Sequence, residues 1–495
     1  MCLVSAKSEY RYLALSYVWG TGKSFKTLKS NIDRLKQDGA LELSETPSDE
    51  NTITLPQTIR DVIHLTRLLG EQFLWIDALC ILQDDEDDRS VHLNCMGSIY
   101  ANAYITLVAA GGSAFEGLRG IENATPAMDR PNEIANLMLD KESLHLKIER
   151  CHHKLEKSIY NSRAWTFQEI IFSRRLLILF NTEVNWICHC AVWFEGLEVI
   201  ENQCANNREV VAQGFDFGTE PDLWEYAVHV QEYNRRQLTY PEDALDAMLG
   251  ILNILKTVFG NFLCGLPIVF FDAALLWYNK APLERRQPRR GPDILMPPSW
   301  TWAAWAGGIS YRDHAKTPNS IKPIVGWMYK ANDQTEWQPV FSFQNRQATD
   351  TQSDQHKLIV PVVENTSRNT SKNNEDINIR LSRGPQMAQL LFARAERSFF
   401  RHMEIYGDLQ ALLTSKTGRS VGMLTACEAM DSKTKSRDFL FEVIAISEIS
   451  QNGNEIKNVL WISWQDSIAY RRGVSWISKS GWAEQTSEHI DVFLG

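Results

Sequence analysis

The chain has no run of about 18 or more apolar residues free of charge, the length a helix needs to cross a bilayer. Its N-terminus also lacks the apolar centre of a secretory leader. Nine cysteines among 495 residues are too few for a disulfide scaffold, and the odd count leaves one thiol over, which fits a reducing compartment. Basic residues do not dominate: 51 Lys and Arg face 61 Asp and Glu, a formal charge of −10. That balance argues against a broad surface for nucleic acid or for an anionic membrane. These absences predict a soluble, cytoplasmic protein with no transmembrane segment and no nucleic-acid partner.

Several chemical signatures are missing as well. The stretch LALSYVWGTGKS, residues 13–24, ends in Gly22, Lys23 and Ser24 like a triphosphate loop, but Tyr17 stands where the first phosphate-wrapping glycine must be. No glycine-rich dinucleotide fingerprint and no serine nucleophile elbow occur. Cys188, His189 and Cys190 lie near one another in sequence, as do Cys151, His152 and His153, yet strand alternation sends His189 to the opposite face from its two neighbours. No metal site is predicted. The run DDEDD, residues 84–88, lacks the spaced ligands and turn glycine of a calcium loop and reads as an acidic helix start.

What is present is an ordinary globular composition, 44% hydrophobic and 23% charged, with 16 Trp as large packing units and a length that calls for more than one domain. Tyr12–Tyr17 reads as a buried strand running into a turn, and 24–54 as an exposed insertion. LPQTIRDVIHLTRLLG has helical spacing, with Pro56 suited to a first turn. FLWIDALCIL, 73–82, reads as a strand buried on both sides, and YITLVAAG from Tyr104 as another. A helix begins near Ser162, a strand follows over 175–180, and TEVNWICHC pairs with it. Strands alternating with helices predict an α/β domain with a parallel sheet covered on both faces. The expected organisation is that domain over 1–205, a helical region over 206–285 and a β-rich region over 286–495. The β-rich region contains a polar loop near 364–376, and FLFEVIAIS and NVLWISW are expected to pair as strands within it.

Two acidic residues stand out. Glu169 follows Trp165 by one helical turn, with Arg163 near the helix start, so indole and carboxylate share a face. Such a pair can orient a ribose or raise a pKa; equally, a solvated Glu can sit above a core Trp. Asp77 interrupts an apolar run and needs either a structural partner or a place at a strand's C-terminal end, where open α/β sheets bind ligands.

YLALSYVWG (12–20), LWIDALCILQDD (74–85) and SRAWTFQEIIFSRRLL (162–177) resemble, in order, the three signature blocks of the fungal heterokaryon incompatibility (HET) domain. Looser similarity extends through RRQLTYPEDALDAMLGIL, GLPIVFFDAALLW, PSWTWAAW and AYRRGVSWIS. The resemblance implies a protein that triggers or regulates programmed cell death on non-self recognition. The family's N-terminal domain is similar in pattern to Toll/interleukin-1 receptor (TIR) domains, which implies a flavodoxin-like sheet. ALSY resembles the first-strand motif of TIR domains, and Trp165, Thr166, Phe167, Glu169 and Ile170 resemble the helix whose glutamate cleaves NAD in the catalytic members. The resemblance thus implies Glu169 as catalytic residue. Ser16, Tyr17, Trp19, Gly20, Asp77, Arg163 and Trp165 would line the nucleotide site, and Thr21 or Lys23 would meet a pyrophosphate. NAD would be the substrate, with no cofactor required. Self-association and an unidentified protein partner are also implied. The alternative is a non-catalytic signalling and assembly module with the same fold.

Overall fold

Tyr12–Val18 forms β1, and six of its seven residues are buried, as its apolar run requires of a strand flanked on both sides. The computed structural model describes residues 1–7, 9–22, 25–41, 53–121, 153–188, 191–195, 219–330, 337–340, 390–451 and 453–495. Lys23, Ser24, Cys151, His152, His189, Cys190, residues 42–52 of the 24–54 insertion and the 364–376 loop lie outside them.

The chain divides into two compact units. The first comprises the described residues of Met1–Phe217 together with Arg236–Thr239 and Asp246–Ile254. Its short helix α1 (Ile32–Leu35) precedes the amphipathic α2 (Gln57–Leu68), which starts directly after Pro56. Then follow β2 (Phe73–Trp75), the helical turn α3 (Asp77–Cys80), α4 (Glu86–Asn102) and β3 (Ile105–Ser113). Asp85 caps α4 by accepting from the backbone N–H groups of Asp87 and Asp88, so the acidic run is a helix start, as its composition implies. After α5 (Ile159–Ser162) and α6 (Trp165–Phe172) come β4 (Arg175–Leu179), β5 (Val184–Cys188) and β6 (Val192–Phe194).

The sheet runs β2-β1-β3-β4-β5-β6, parallel through β4 and antiparallel across the last two pairs. The order 2-1-3-4 is that with which a flavodoxin-like sheet begins, but β5 returns as a hairpin strand. One correction concerns 73–82, which was expected to be a single buried strand. Only Phe73–Trp75 is strand, because the Asp77 carboxylate accepts from the Ala78 N–H at 2.6 Å and starts α3. Leu13, Leu15 and Tyr17 pack with α2 residues such as Ile59 and Val62. Val18, Val108, Ile178 and Tyr160 form a separate core cluster. The β1–β3 register shifts between Ser16 and Val18, a bulge at the end of the strand that carries Ser16 and Tyr17.

The second unit comprises Gly218–Arg235, Tyr240–Leu245 and Leu255–Gly495. It opens with α7 (Leu223–Asn234), and α8 (Leu249–Phe259) enters it at Leu255. Within the predicted helical region, TYPEDAL forms the 3-10 turn Pro241–Ala244 rather than α-helix, with its acids engaged in tertiary contacts. Asp243 pairs with Arg290 at 2.9 Å, and Glu242 accepts the Arg290 N–H at 2.9 Å. In PSWTWAAW, Trp300, Trp302 and Trp305 are wholly buried.

Described strands of the β-rich region form a closed sheet. Strands β7 (Leu390–Tyr406), β8 (Gln410–Thr414), β9 (Ser420–Ala426), β10 (Phe441–Gln451), β11 (Asn454–Gln465) and β12 (Ile468–Ser478) pair antiparallel in the cycle β7-β8-β9-β12-β11-β10-β7. The ring closes and removes its own edges. Phe400, Leu413, Leu424, Val443, Val459 and Ile477 fill the interior. β10 and β11 are the predicted strand pair, and β13 (Ser487–Leu494) lies along β7.

Candidate functional site

Ser16, the last β1 residue before the register shift, is 0% exposed and points away from Tyr17 by strand alternation. Its hydroxyl donates to Glu169 Oε2 and shares a second hydrogen bond with the Tyr160 hydroxyl. Glu169 lies on α6 and is 8% exposed, so the alternative of a solvated carboxylate is excluded by its position. Burial pushes its pKa up to about 7, and the Asp77 carboxylate adds to the rise. The Ser16 hydrogen bond and the Arg163 charge act the other way.

Asp77 stands at the C-terminal end of β2. Its carboxylate accepts from Trp19 Nε1 at 2.8 Å as well as from the Ala78 N–H. Burial lifts its pKa to about 6 despite those donors and Arg163. The Tyr17 hydroxyl is buried beside Asp77 without a hydrogen bond of good geometry. Tyr100, on α4, donates to the Leu15 carbonyl at 3.0 Å and lies near Glu169. Burial keeps the phenols of Tyr17, Tyr100 and Tyr160 well above their usual pKa, so all three remain protonated.

The structure therefore brings Ser16, Tyr17, Asp77 and Arg163 around Glu169, with Trp19 held through Asp77. Trp165 is half-buried one turn before Glu169. Gly20 is exposed and serves the turn: its φ is +77°, and a Cβ there would lie 3.0 Å from the Ser113 Cβ. Thr21 is exposed.

Sequence reasoning did not find Tyr100, Tyr160 or Arg236. Arg236 donates to Asn161 Oδ1 at 2.7 Å, to Thr166 Oγ1 at 3.3 Å and to the Arg163 carbonyl at 3.4 Å. It also covers the Phe167 ring at 4.8 Å. It thereby fixes the start of α6, and no local pattern announces a contact with a residue so distant in sequence. Burial raises both carboxyls, Glu169 to about 7 with a further push from the Asp77 charge and Asp77 to about 6, so both titrate near neutrality. That is the range for accepting a proton or for facing a developing positive charge. Among the described residues no group of His, Cys, Asp and Glu can hold a metal ion, and no helix is long and apolar enough to cross a membrane.

Residues 12–169, from the first residue of β1 to Glu169 itself, match the family model described as Heterokaryon incompatibility protein (HET). Over 212 residues the chain is 27% identical to heterokaryon incompatibility protein 6, OR allele, of Neurospora crassa, which covers 41% of this chain and 29% of that protein. The chain thus matches under a third of that relative's length. These matches support the HET resemblance and do not bear on the TIR likeness. No solved structure matches.

Proposed function

We propose that the protein acts in fungal non-self recognition of the heterokaryon incompatibility type, and that its first unit promotes cell death by cleaving the nicotinamide–ribose bond of NAD. The observation that carries the reading is the buried Glu169, hydrogen-bonded to Ser16, beside a second carboxyl of raised pKa. Bond cleavage turns the pyridinium into neutral nicotinamide, so the leaving group needs no proton. It leaves positive charge on the ribose. Ionised Glu169 stabilises that oxocarbenium-like charge in a site of low polarity, where the interaction is strongest. Asp77 accepts a proton from the attacking water, and the products are nicotinamide, ADP-ribose and a proton. A TIR-like arrangement of the sheet belongs to this proposal, and the parallel order of its first four strands supports it.

The test follows NAD and viability over time in cells expressing the full chain or its Glu169→Gln variant, with NAD turnover by the purified proteins alongside. NAD loss before death, abolished by the substitution, supports catalysis. Death with NAD unchanged overturns it. The second reading, an assembly module without catalysis, is favoured by the low exposure of Glu169, whose hydrogen bond to Ser16 would then hold α6 against the sheet.

A further inference from the structure

We propose that the second unit binds a small hydroxylated anion, of the class of sugar phosphates or hydroxy acids, in a cleft on the outer wall of its closed sheet. The cleft is about 1380 Å³. Ala411, Leu424, Val459 and Ile477 point into the interior, so alternation places Gln410, Thr425, Asn458 and Trp476 on the outside, where they line it. The opposite wall comes from Tyr278 and the 311–320 segment. The two walls meet near Thr425, since Asn279 donates to the Ala426 carbonyl at 3.0 Å.

Two polar atoms on these walls, on Thr425 and His314, are withdrawn from water without a hydrogen-bond partner, and a third group, the half-buried Arg312, has no carboxylate beside it among the described residues. The Arg312 guanidinium lies over the Tyr278 ring at 5.2 Å and makes no ion pair with the described residues. The other charges of the cleft are already matched: Lys479 pairs with Glu455 at 2.9 Å, and Asp313 with Lys316 at 3.2 Å. Thr425 is 1% exposed, yet its hydroxyl has no hydrogen-bond partner. His314 Nε2 is likewise buried and unpartnered. Burial and the neighbouring Arg312 hold the imidazole neutral, and a hydrogen bond with the Ala273 backbone engages the ring. Nε2 is therefore an acceptor.

Buried polar groups are normally satisfied, so this trio describes its missing complement. A planar guanidinium stacked on an aromatic ring suits a carboxylate or phosphate taken in bidentate fashion. An imidazole acceptor and a threonine hydroxyl suit hydroxyl groups on the same molecule. An uncharged sugar would leave Arg312 unmatched, and an anion without hydroxyls would leave His314 so.

The test is calorimetric titration of the full chain at constant ionic strength with ribose 5-phosphate, with gluconate and with glucose. At least one of the two anions is expected to bind saturably at millimolar concentration or below, with no binding of glucose. Which anion binds decides between phosphate and carboxylate. Arg312→Gln should weaken binding at least ten-fold, and Thr425→Val several-fold without lowering the melting temperature. Absence of saturable binding by both anions overturns the proposal, as does undiminished affinity in Arg312→Gln. Should that variant fail to fold, undiminished affinity in Thr425→Val has the same force.

Discussion

The Ser16 hydroxyl donates to the Glu169 carboxylate across 153 residues of sequence, joining the first strand to the helix that begins at Trp165. Each side of that bond constrains the other. Glu169 would be more strongly raised without its donor, and the buried Ser16 would keep only its hydrogen bond with Tyr160.

Ser16→Ala removes the donor and should therefore raise the Glu169 pKa beyond about 7. Titration of the carboxyl carbon by NMR should show the upward shift, and NAD turnover, if Glu169 carries it, should need a higher pH. Loss of one buried hydrogen bond should also destabilise the first unit by about 1–2 kcal/mol.

Asp77→Asn acts in the opposite sense. The Asp77 charge raises the Glu169 pKa, so a neutral amide that still accepts from Trp19 should lower it. The same titration, run on the double variant Ser16→Ala with Asp77→Asn, should show the two shifts largely cancelling. A Glu169 value that ignores Asp77 would remove the coupled pair from the account.

The pH dependence of stability follows from the direction of both shifts. A carboxyl raised above its unfolded value by burial favours the fold fully at pH below the unfolded pKa. That contribution is lost as pH rises through about 6 for Asp77 and about 7 for Glu169. Glu169→Gln keeps the shape and removes the ionisation. It should match the parent near pH 4.5 and exceed it at pH 8, by on the order of 1–3 kcal/mol. Amide hydrogen exchange of β1 and α6 at the two pH values measures the difference.

Arg236→Ala deletes three hydrogen bonds and the cover over Phe167, all at the start of α6. A loss of about 2–4 kcal/mol is expected. Arg236→Lys should recover only a part, because an ammonium cannot serve three acceptors in the plane of the fork. Chemical denaturation of the three proteins gives the comparison.

Gly97→Ala sets a helix preference against a collision. Alanine favours a helix interior by about 1 kcal/mol, but its Cβ would stand 2.7 Å from the Phe172 ring. Gly250 approaches the same ring, since a Cβ there would lie 3.2 Å from it, so the ring has little room to retreat. Overpacking should win, with a net loss of about 1–3 kcal/mol by thermal denaturation.

Much of this was legible in the sequence, and the rest was not for physical reasons. β1, α2, the β4–β5 pair and the β10–β11 pair carry their signal locally, in apolar runs and spacing. Glu169 one turn after Trp165 is also local. The run 73–82 misled because an aspartate in apolar company looks like a strand interruption until its own bond to the next N–H is seen. Tyr160 and Tyr100 reach Ser16 and the Leu15 carbonyl over 144 and 85 residues, and composition holds no trace of such partnerships. Closure of the second unit's sheet depends on β7 pairing with both β8 and β10, a long-range choice that alternation permits but does not dictate.

The late segments Arg236–Thr239 and Asp246–Ile254 belong to the first unit although the chain has by then begun the second. In genetic terms the first unit is not a cassette. A crossover after residue 205 that joins it to a foreign continuation would strip Arg236 from α6 and Gly250 from the neighbourhood of Phe172. Alleles that shuffle by recombination would have to exchange both stretches together, and variation in one should be matched by variation in the other.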